Sequence, residues 1–270
     1  MTIQQPQDDD APVGRVLTRR EVLTLLGAGT GAALLAACVP GALTGSSSSP
    51  SASASASTSA AASATGLAAA IPSCIVRPEL TEGPYYVDEG LNRSDIRSDP
   101  ASGDGREGAA LALAFAVSCI NGSSCTPFEG AIVDVWHCDA LGIYSDVQDP
   151  SGSTVGQKFL RGYQLTDAAG MAAFTTIYPG WYRGRAVHIH FKVRTEPASG
   201  SGLEFTSQLF LDDSLTDSVH QRAPYASKGQ RDTRNADDGI FQGGGDQLLL
   251  NPRQDGDGYA ATFEIGVQVA

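Results

Sequence analysis

The stretch Tyr178-Pro-Gly-Trp-Tyr-Arg-Gly-Arg-Ala-Val-His-Ile-His-Phe191 decides the fold and the chemistry expected of this chain. Its last residues alternate as in a β-strand, in which successive side chains point to opposite faces. His188 and His190 therefore share one face, with Cα atoms roughly 7 Å apart. Two imidazoles at this spacing can bind one metal ion. Tyr182 and Arg185, just upstream, add a potential phenolate and a fixed cation.

Short apolar segments separated by turn signals continue this pattern on both sides of the stretch. Asn121-Gly122, Pro179-Gly180 and Asp255-Gly-Asp-Gly258 are typical turn sequences. The predicted strands are 109–118, 131–136, 158–166, 172–177, 186–194, 206–211 and 261–269. Short strands with regular turns predict an all-β fold, an antiparallel β-sandwich, in which the polar, Gly-rich residues 212–258 form long loops with a helical turn.

Composition limits the class of partner. The chain has 270 residues, with 30 Asp and Glu against 18 Lys and Arg and a formal net charge of −12. A phosphate-binding surface needs clustered Lys and Arg, so nucleic acid is not an expected partner. About 200 residues remain after the N-terminal segments described next, which is enough for one domain with a full core.

The first 38 residues have the pattern of an export signal. Arg19-Arg20 precedes a Gly- and Ala-rich apolar run from Leu23 to Ala37, which is typical of a twin-arginine signal peptide. An ordinary N-terminal anchor is the alternative, but the run is shorter than the roughly 20 apolar residues that span a membrane. The run leads into Cys38 through Leu-Ala-Ala, which resembles a bacterial lipobox. Lipidation of Cys38 is therefore expected, although Cys38 is incidental if an ordinary signal peptide is cut nearby.

Residues 39–70 are predicted to be a flexible linker. Positions 44–65 are almost entirely Ser, Ala, Thr and Gly, and such a segment cannot bury enough apolar surface to offset its ordering entropy. The predicted organisation is a signal peptide over 1–38, the linker over 39–70 and a folded domain over 71–270. An exported, extracytoplasmic protein is expected, which contacts the membrane only through a lipid on its N-terminal cysteine.

Four further cysteines fit an oxidising compartment, where an even number favours disulfides. Cys119 and Cys125 flank a short Gly-containing loop and are predicted to pair. Cys74 and Cys138 remain as the second pair. A Cys/His metal site is the alternative, but no CxxC spacing supports it.

A second informative stretch runs from Val133 to Tyr144, where a predicted strand enters a tight turn and presents the tyrosine just after it. Read together with the stretch quoted above, it resembles the intradiol ring-cleavage dioxygenases. These non-haem ferric enzymes cut an aromatic ring between two adjacent hydroxylated carbons, and they bind iron through two tyrosines and two histidines. The family motif V-W-x-x-x-x-x-G-x-Y ends here at Tyr144, Pro-Gly-x-Tyr ends at Tyr182, and R-x-x-H-x-H supplies His188 and His190.

The resemblance covers about residues 72–212 and extends to residues around the metal. The family's arginine falls on Arg185 and its glutamine on Gln208, which implies that Gln208 holds Arg185 while Arg185 stabilises negative charge developing on the ring. A Gly-Pro-Tyr segment that lines the substrate pocket in relatives falls on Gly83-Pro84-Tyr85. Trp181, which we also place at the pocket, stands where the protocatechuate enzymes have proline. This departure, with a shorter segment before Arg185, implies an exported branch of the family and leaves the identity of the substrate open.

The implied ligand set suits ferric iron, because a hard cation prefers hard anionic donors such as phenolate oxygen. A bound trivalent ion would ionise tyrosine, whose free pKa is about 10. A ferric centre is poorly suited to bind O₂ directly, so the resemblance implies that the organic substrate is activated instead. A catechol-type substrate would displace Tyr182, which would take up a proton. Both atoms of O₂ would enter a cis,cis-muconate-type product, without a reductant.

Two other functions stay open at this point. An exported β-sandwich could bind aromatics or sugars without turnover; loss of an iron ligand would mark that function, and none is missing. Zinc hydrolysis built on His188 and His190 with a carboxylate is the second alternative, which the paired tyrosines disfavour. His137 and His220 match no family ligand and are expected in a turn and a loop, with Trp136 in the core.

Overall fold

Strand β1 (Ala110–Asn121) is central to the first of two sheets. In the computed structural model, which describes residues 75–149, 152–195 and 202–268, its buried and more exposed side chains alternate. Leu111, Leu113, Phe115 and Val117 are each at most 1% exposed, whereas the intervening alanines lie on the other face. The strand was predicted from a different feature, a short apolar run bounded by turn signals.

The described residues contain mostly β-structure and one α-helix. Each of the seven predicted strands corresponds to a strand of the structure, with bounds that differ by a few residues. The strands are β1 (Ala110–Asn121), β2 (Ser124–Pro127), β3 (Ile132–Trp136), β4 (Gln148–Asp149), β5 (Gly152–Ser153), β6 (Arg161–Leu165), β7 (Met171–Ile177), β8 (His188–Arg194), β9 (Glu204–Leu211), β10 (Leu249–Leu250), β11 (Arg253–Asp255) and β12 (Gly258–Gln268); helix α1 is Asp213–His220.

Two five-stranded sheets form the sandwich that the sequence predicts. The first has the order β11-β12-β1-β2, and β7 also pairs with β1; the second has the order β10-β9-β8-β3-β6. Most pairs are antiparallel, but β12 runs parallel to β1, and β10 runs parallel to β9. Parallel neighbours require long connections, and the stretch between β9 and β10 supplies one.

Aromatic side chains join the inner faces of the two sheets. Phe115 of β1 lies 5.2 Å from Phe191 of β8, and Phe191 lies 5.6 Å from Phe263 of β12, measured between ring centroids. All three rings are at most 3% exposed. This packing fixes β8 with its odd-numbered side chains in the core.

The even-numbered side chains of β8 face the outer side of the second sheet, which is also covered. The Lys192 ammonium lies 2.5 Å from a Glu82 carboxylate oxygen and over the Tyr86 ring, and Gly83 packs over His190. The segment around residues 80–90 therefore closes this face. It converts an exposed sheet face into an enclosed layer that contains the two histidines.

Residues 212–258 contain more regular structure than the long loops and helical turn that were predicted. Helix α1 begins after Asp212, whose carboxylate accepts hydrogen bonds from the Ser214 and Leu215 amides. Four short 3₁₀ helices follow, at Tyr225–Lys228, Asn235–Asp237, Phe241–Gly243 and Gly245–Leu248. His220 is the last residue of α1, so its expected place in a loop was wrong.

The predicted signal peptide, the linker, Cys38 and Cys74 lie outside the described residues and stay predictions. In the part of the chain that the structure describes, no helix has the length and apolarity needed to cross a membrane.

The predicted disulfide pairing was wrong. Cys125 is disulfide-bonded, but Cys119 and Cys138 are buried thiols. In the β1–β2 ladder, Cys119 lies opposite Thr126 and Cys125 lies opposite Ile120. Residues one position apart on a strand point to opposite faces, so Cys119 and Cys125 face away from each other. Cys138 lies in an aromatic cluster with Trp136 and Tyr144. Because Cys138 is a free thiol, it does not pair with Cys74.

Candidate metal centre

The two histidines of β8 direct their ring nitrogens to one point. His188 Nε2 and His190 Nε2 lie 3.0 Å apart, and both side chains are at most 2% exposed. His188 Nδ1 donates to the Ala186 carbonyl at 2.6 Å, which leaves the lone pair on Nε2. The shared face predicted from the H-x-H spacing is therefore confirmed.

Aromatic packing fixes the plane of His190. Trp136 lies opposite His190 in the β3–β8 ladder, and the two rings stack at 5.0 Å with 9° between their planes. On the other side, a Cβ added to Gly83 would lie 3.1 Å from His190 Cε1. Gly83 also has a φ of +74°, a backbone conformation that favours glycine. Both the contact with the imidazole and the backbone conformation therefore favour glycine at this position.

Two loops bring the predicted tyrosines to the histidines. We call residues 137–144 the Tyr144 loop and residues 178–185 the Tyr182 loop. The Tyr182 hydroxyl lies 3.1 Å from His188 Nε2. The Tyr144 ring lies 5.7 Å from the Tyr182 ring and 6.1 Å from the His190 ring, measured between centroids. All four predicted ligands are thus neighbours.

The Tyr144 hydroxyl is buried in an unusual environment for a phenol. The side chain is 2% exposed, and its oxygen has no hydrogen-bond partner among the described residues. Burial raises the pKa of Tyr144 well above its ordinary value, and the neighbouring Tyr182 raises it further. A cation at this point would satisfy the oxygen and reverse the pKa shift.

Glycines let the two loops touch. A Cβ on Gly142 would overlap the Trp181 carbonyl oxygen, and a Cβ on Gly180 would overlap the Ala140 carbonyl. The Gly180 amide also donates to the Asp139 carbonyl at 3.1 Å. The glycines of both family motifs therefore act by bringing the tyrosine-bearing backbones together.

Burial keeps both imidazoles neutral. It lowers the pKa of His188 and of His190 well below the ordinary value, and the nearby Arg185 cation lowers both further. Neutral imidazole is the form that binds a metal. Two imidazole nitrogens and two phenol oxygens therefore converge, one of them an unpartnered buried hydroxyl, and this donor set fits a hard trivalent ion such as Fe(III). The described residues contain no group of three or more His, Cys, Asp and Glu that could hold a metal, which is the cluster that the zinc alternative needs.

Arg185 is held beside this cluster by two side chains. Its Nη2 donates to Gln208 Oε1 at 2.5 Å and its Nε donates to Asp238 Oδ2 at 3.0 Å. Gln208 lies opposite His190 in the β8–β9 ladder and donates to the Thr81 carbonyl at 2.9 Å. The structure therefore places Gln208 against Arg185, as the resemblance implies.

Asp238 was not predicted. It is 1% exposed, and Oδ2 also accepts from the Ala186 amide at 2.8 Å, while Oδ1 accepts from the Ile240 amide at 2.7 Å. It lies in an Asp-rich polar stretch, where its sequence context resembles that of its exposed neighbour Asp237. No local pattern distinguishes the two.

The predicted pocket residues surround the tyrosines to different degrees. Tyr85 stacks on Tyr144 at 4.5 Å and lies 6.2 Å from Tyr182. Trp181 is half-buried and donates from Nε1 to the Gly229 carbonyl at 3.2 Å. Pro84 is exposed, at the turn between Gly83 and Tyr85.

The other histidines lie outside the cluster. His137 directly follows β3, is 1% exposed, and lies with Nε2 2.7 Å from Thr176 Oγ1. A groove of about 790 Å³ on the first sheet is lined by Ala112, Thr175 and Thr262 among others, and its lining contains no His, Tyr, Cys, Asp or Glu. It offers no competing metal site.

Known proteins resemble this chain in sequence and in fold. A dioxygenase family model matches residues 81–187, which include Tyr144, Tyr182 and Arg185 and end just before His188. Catechol 1,2-dioxygenase 1 of Acinetobacter lwoffii is 28% identical over 162 residues, which are 50% of this chain and 49% of that protein. The chain thus spans about half the length of the curated relative it matches.

Two solved structures resemble the fold. An intradiol ring-cleavage dioxygenase from Tetranychus urticae superposes with a TM-score of 0.63 at 29% identity, covering 72% of this chain and 95% of that one. The dioxygenase domain of a dioxygenase carbohydrate-binding protein fusion from the cellulolytic bacterium Streptomyces sp. SirexAA-E gives a TM-score of 0.50 at 28% identity, covering 73% and 100%. The chain therefore has the intradiol dioxygenase fold, and part of its sequence is similar to that of known dioxygenases.

Proposed function

We propose that this protein is an intradiol ring-cleavage dioxygenase that uses non-haem Fe(III) to open a catechol-type ring with O₂. The convergence of the four donor side chains carries the proposal. The His188 and His190 nitrogens lie 3.0 Å apart, the Tyr182 hydroxyl lies 3.1 Å from the first of them, and the Tyr144 hydroxyl is buried without a partner among the described residues. A hydrolase or a simple binding protein has no need for two phenols beside two neutral imidazoles.

Tyr144, Tyr182, His188 and His190 would hold the iron. When bound, a ferric ion with two phenolate ligands supplies Lewis acidity toward the two oxygens of a catechol and accepts electron density from its ring. Neighbouring groups orient both histidines for metal binding, because the Ala186 carbonyl fixes the tautomer of His188 and Trp136 fixes the plane of His190.

The chain's own groups have defined tasks in the reaction. Tyr182 Oη accepts a proton from a substrate hydroxyl, a general-base role that requires the two oxygens to come within hydrogen-bond distance. Arg185, oriented by Gln208 and Asp238, places a fixed positive charge where negative charge develops on the ring. Tyr85, stacked on Tyr144, offers an aromatic edge to the substrate. The bond between the two hydroxylated carbons breaks, both atoms of O₂ enter the cis,cis-muconate-type product, and no reductant is consumed.

The test is the visible spectrum of the full chain loaded with ferric iron. Phenolate-to-ferric charge transfer is expected to colour the protein, and a catechol added without oxygen should shift the band. Admitting air should then discharge the shifted spectrum as the ring opens. Tyr182→Phe is expected to weaken the colour and to slow catechol binding severely, because it removes one ligand and the proton acceptor together.

Tyr163→Phe is the matched control, because Tyr163 lies on β6 outside the cluster. It should match the wild-type spectrum and turnover. A colourless wild-type protein after ferric loading would overturn the dioxygenase and favour a non-catalytic binding module. A stable colour that catechol does not shift would support the iron site but contradict the proposed catechol-type substrate. Unchanged turnover in Tyr182→Phe would exclude the role of Tyr182.

A further inference from the structure

Lys228 lies where the Tyr144 loop and the Tyr182 loop meet. Its ammonium donates hydrogen bonds to the Leu141 carbonyl and, at 2.6 Å, to the Trp181 carbonyl. Leu141 precedes Tyr144 by three residues, and the Trp181 carbonyl belongs to the same planar peptide unit as the Tyr182 nitrogen. One ammonium group therefore contacts the backbones that carry both tyrosines.

The backbone of Lys228 is anchored to one of the same loops. Lys228 ends the 3₁₀ helix that begins at Tyr225. The buried Tyr225 hydroxyl donates to the Tyr178 carbonyl at 2.7 Å and accepts from the Ala109 amide at 3.0 Å. These bonds connect the helix to the start of the Tyr182 loop and to the first sheet. The backbone that carries the Lys228 side chain is therefore held in place.

Trp181 completes the enclosure of the ammonium. The Lys228 nitrogen lies 4.8 Å from the centre of the Trp181 ring, within cation–π range, while the Trp181 ring nitrogen donates to Gly229. A Cβ on Gly142 would overlap both the Trp181 carbonyl and the Lys228 ammonium. The packing thus leaves space for this amine between the loops.

We propose that Lys228 is a positioning residue that clamps the two loops and so sets the separation of the Tyr144 and Tyr182 hydroxyls. This inference rests on the proposed function, because the separation matters when both hydroxyls bind one ion. Lysine suits the task, since its ammonium has three donors and no acceptor, and two of its donors reach neutral carbonyl oxygens. With the Trp181–Tyr182 peptide fixed, the Tyr182 side chain would move by rotating while its backbone stays in place.

Hydrogen–deuterium exchange of the full, metal-free chain tests the clamp. The Gly142 and Gly180 amides both donate to the Asp139 carbonyl and report on the two loops. Lys228→Met, which keeps the length of the side chain, should speed exchange in both loops about tenfold, the effect expected from losing about one charge-assisted hydrogen bond. Exchange in β1 and β12 should stay unchanged, whereas a general loss of stability would speed it as well.

Arg183→Met is the matched control. Arg183 adjoins Tyr182 and carries the same charge, but its side chain is 94% exposed, and it is 3.7 Å from Asp232. Its removal should leave exchange at Gly142 and Gly180 unchanged. Equal exchange rates in Lys228→Met and wild type, or faster exchange in only one loop, would overturn the clamp.

Two additions keep the test decisive. If Lys228→Met does not fold, Lys228→Gln retains a donor without the charge and should give a smaller acceleration in both loops; no acceleration there rejects the proposal. Lys228→Arg keeps the charge and has several donors, so exchange in both loops should be much slower than in Lys228→Met and close to that of wild type. The exchange measurement uses no iron, so it tests the clamp independently of the proposed function. Failure of the wild-type chain to bind ferric ion would contradict the dioxygenase proposal but not the clamp.

Discussion

The Arg185 guanidinium is held from two directions by groups that are distant in the chain. Gln208 reaches it from the neighbouring strand β9, and Asp238 reaches it from the segment that follows α1. Arg185 and Asp238 are 5% and 1% exposed, so their attraction is little weakened by water. The geometry of this cation, on which charge stabilisation depends, is therefore set by a buried ion pair.

Asp238→Asn is expected to lower the free energy of unfolding by about 3 kcal/mol, because removing one partner leaves a buried charge without compensation. It should also lower kcat by about tenfold or more as the guanidinium loses its orientation. Chemical denaturation and steady-state kinetics with a catechol measure the two effects. Asp237→Asn, one residue away and exposed, should change the free energy of unfolding by no more than about 0.5 kcal/mol. It should leave kcat nearly unchanged. Equal stability of the two variants would contradict the ion-pair argument.

At the scale of elements, short apolar runs and turn signals were enough to predict the strands, and alternation in the strand His188–Arg194 placed its histidines on one face. The motifs likewise predicted the four converging donors. Asp238 and Lys228 were not predicted, because they contact the site from 53 and 47 residues away, and no local period encodes such contacts. The cystine was mispredicted because loop length was considered and ladder register was not: register places Cys119 opposite Thr126.

Gly142→Ala tests whether the close approach of the two loops is required. The substitution adds a Cβ that overlaps the Trp181 carbonyl at a φ of +78°. Gly184→Ala is the matched control, because Gly184 has a φ of +82° in the same region but no neighbouring atom within 4 Å of the added Cβ. Denaturation should show a loss of roughly 1 kcal/mol for Gly184→Ala, the backbone cost alone. Gly142→Ala should lose at least about 2 kcal/mol more and weaken the ferric colour. Equal losses would show that the loops accommodate a side chain.

At the scale of the whole molecule, the two sheets are joined by polar contacts as well as by the aromatic core. His137 follows β3 of the second sheet, and its Nε2 lies 2.7 Å from the hydroxyl of Thr176, on β7 of the first sheet. Its Nδ1 donates to the Cys138 carbonyl at 2.8 Å, so the neutral ring accepts the Thr176 proton. The join between the sheets therefore depends on an uncharged imidazole.

Acid should weaken this join in a defined pH window. Burial lowers the pKa of His137 from 6.5 to about 4. Between these values the unfolded chain binds a proton that the folded chain excludes, so the free energy of unfolding falls as pH falls. One such group contributes a slope of about 1.4 kcal/mol per pH unit and a total of about 3 kcal/mol, complete near pH 4. His137→Gln keeps an acceptor for Thr176 but cannot titrate. Denaturation of the metal-free proteins should be measured from pH 7 to pH 4. The free energy of unfolding should fall more steeply with pH in wild type than in His137→Gln, by about this slope. Parallel profiles would show that His137 gains its proton without unfolding the join.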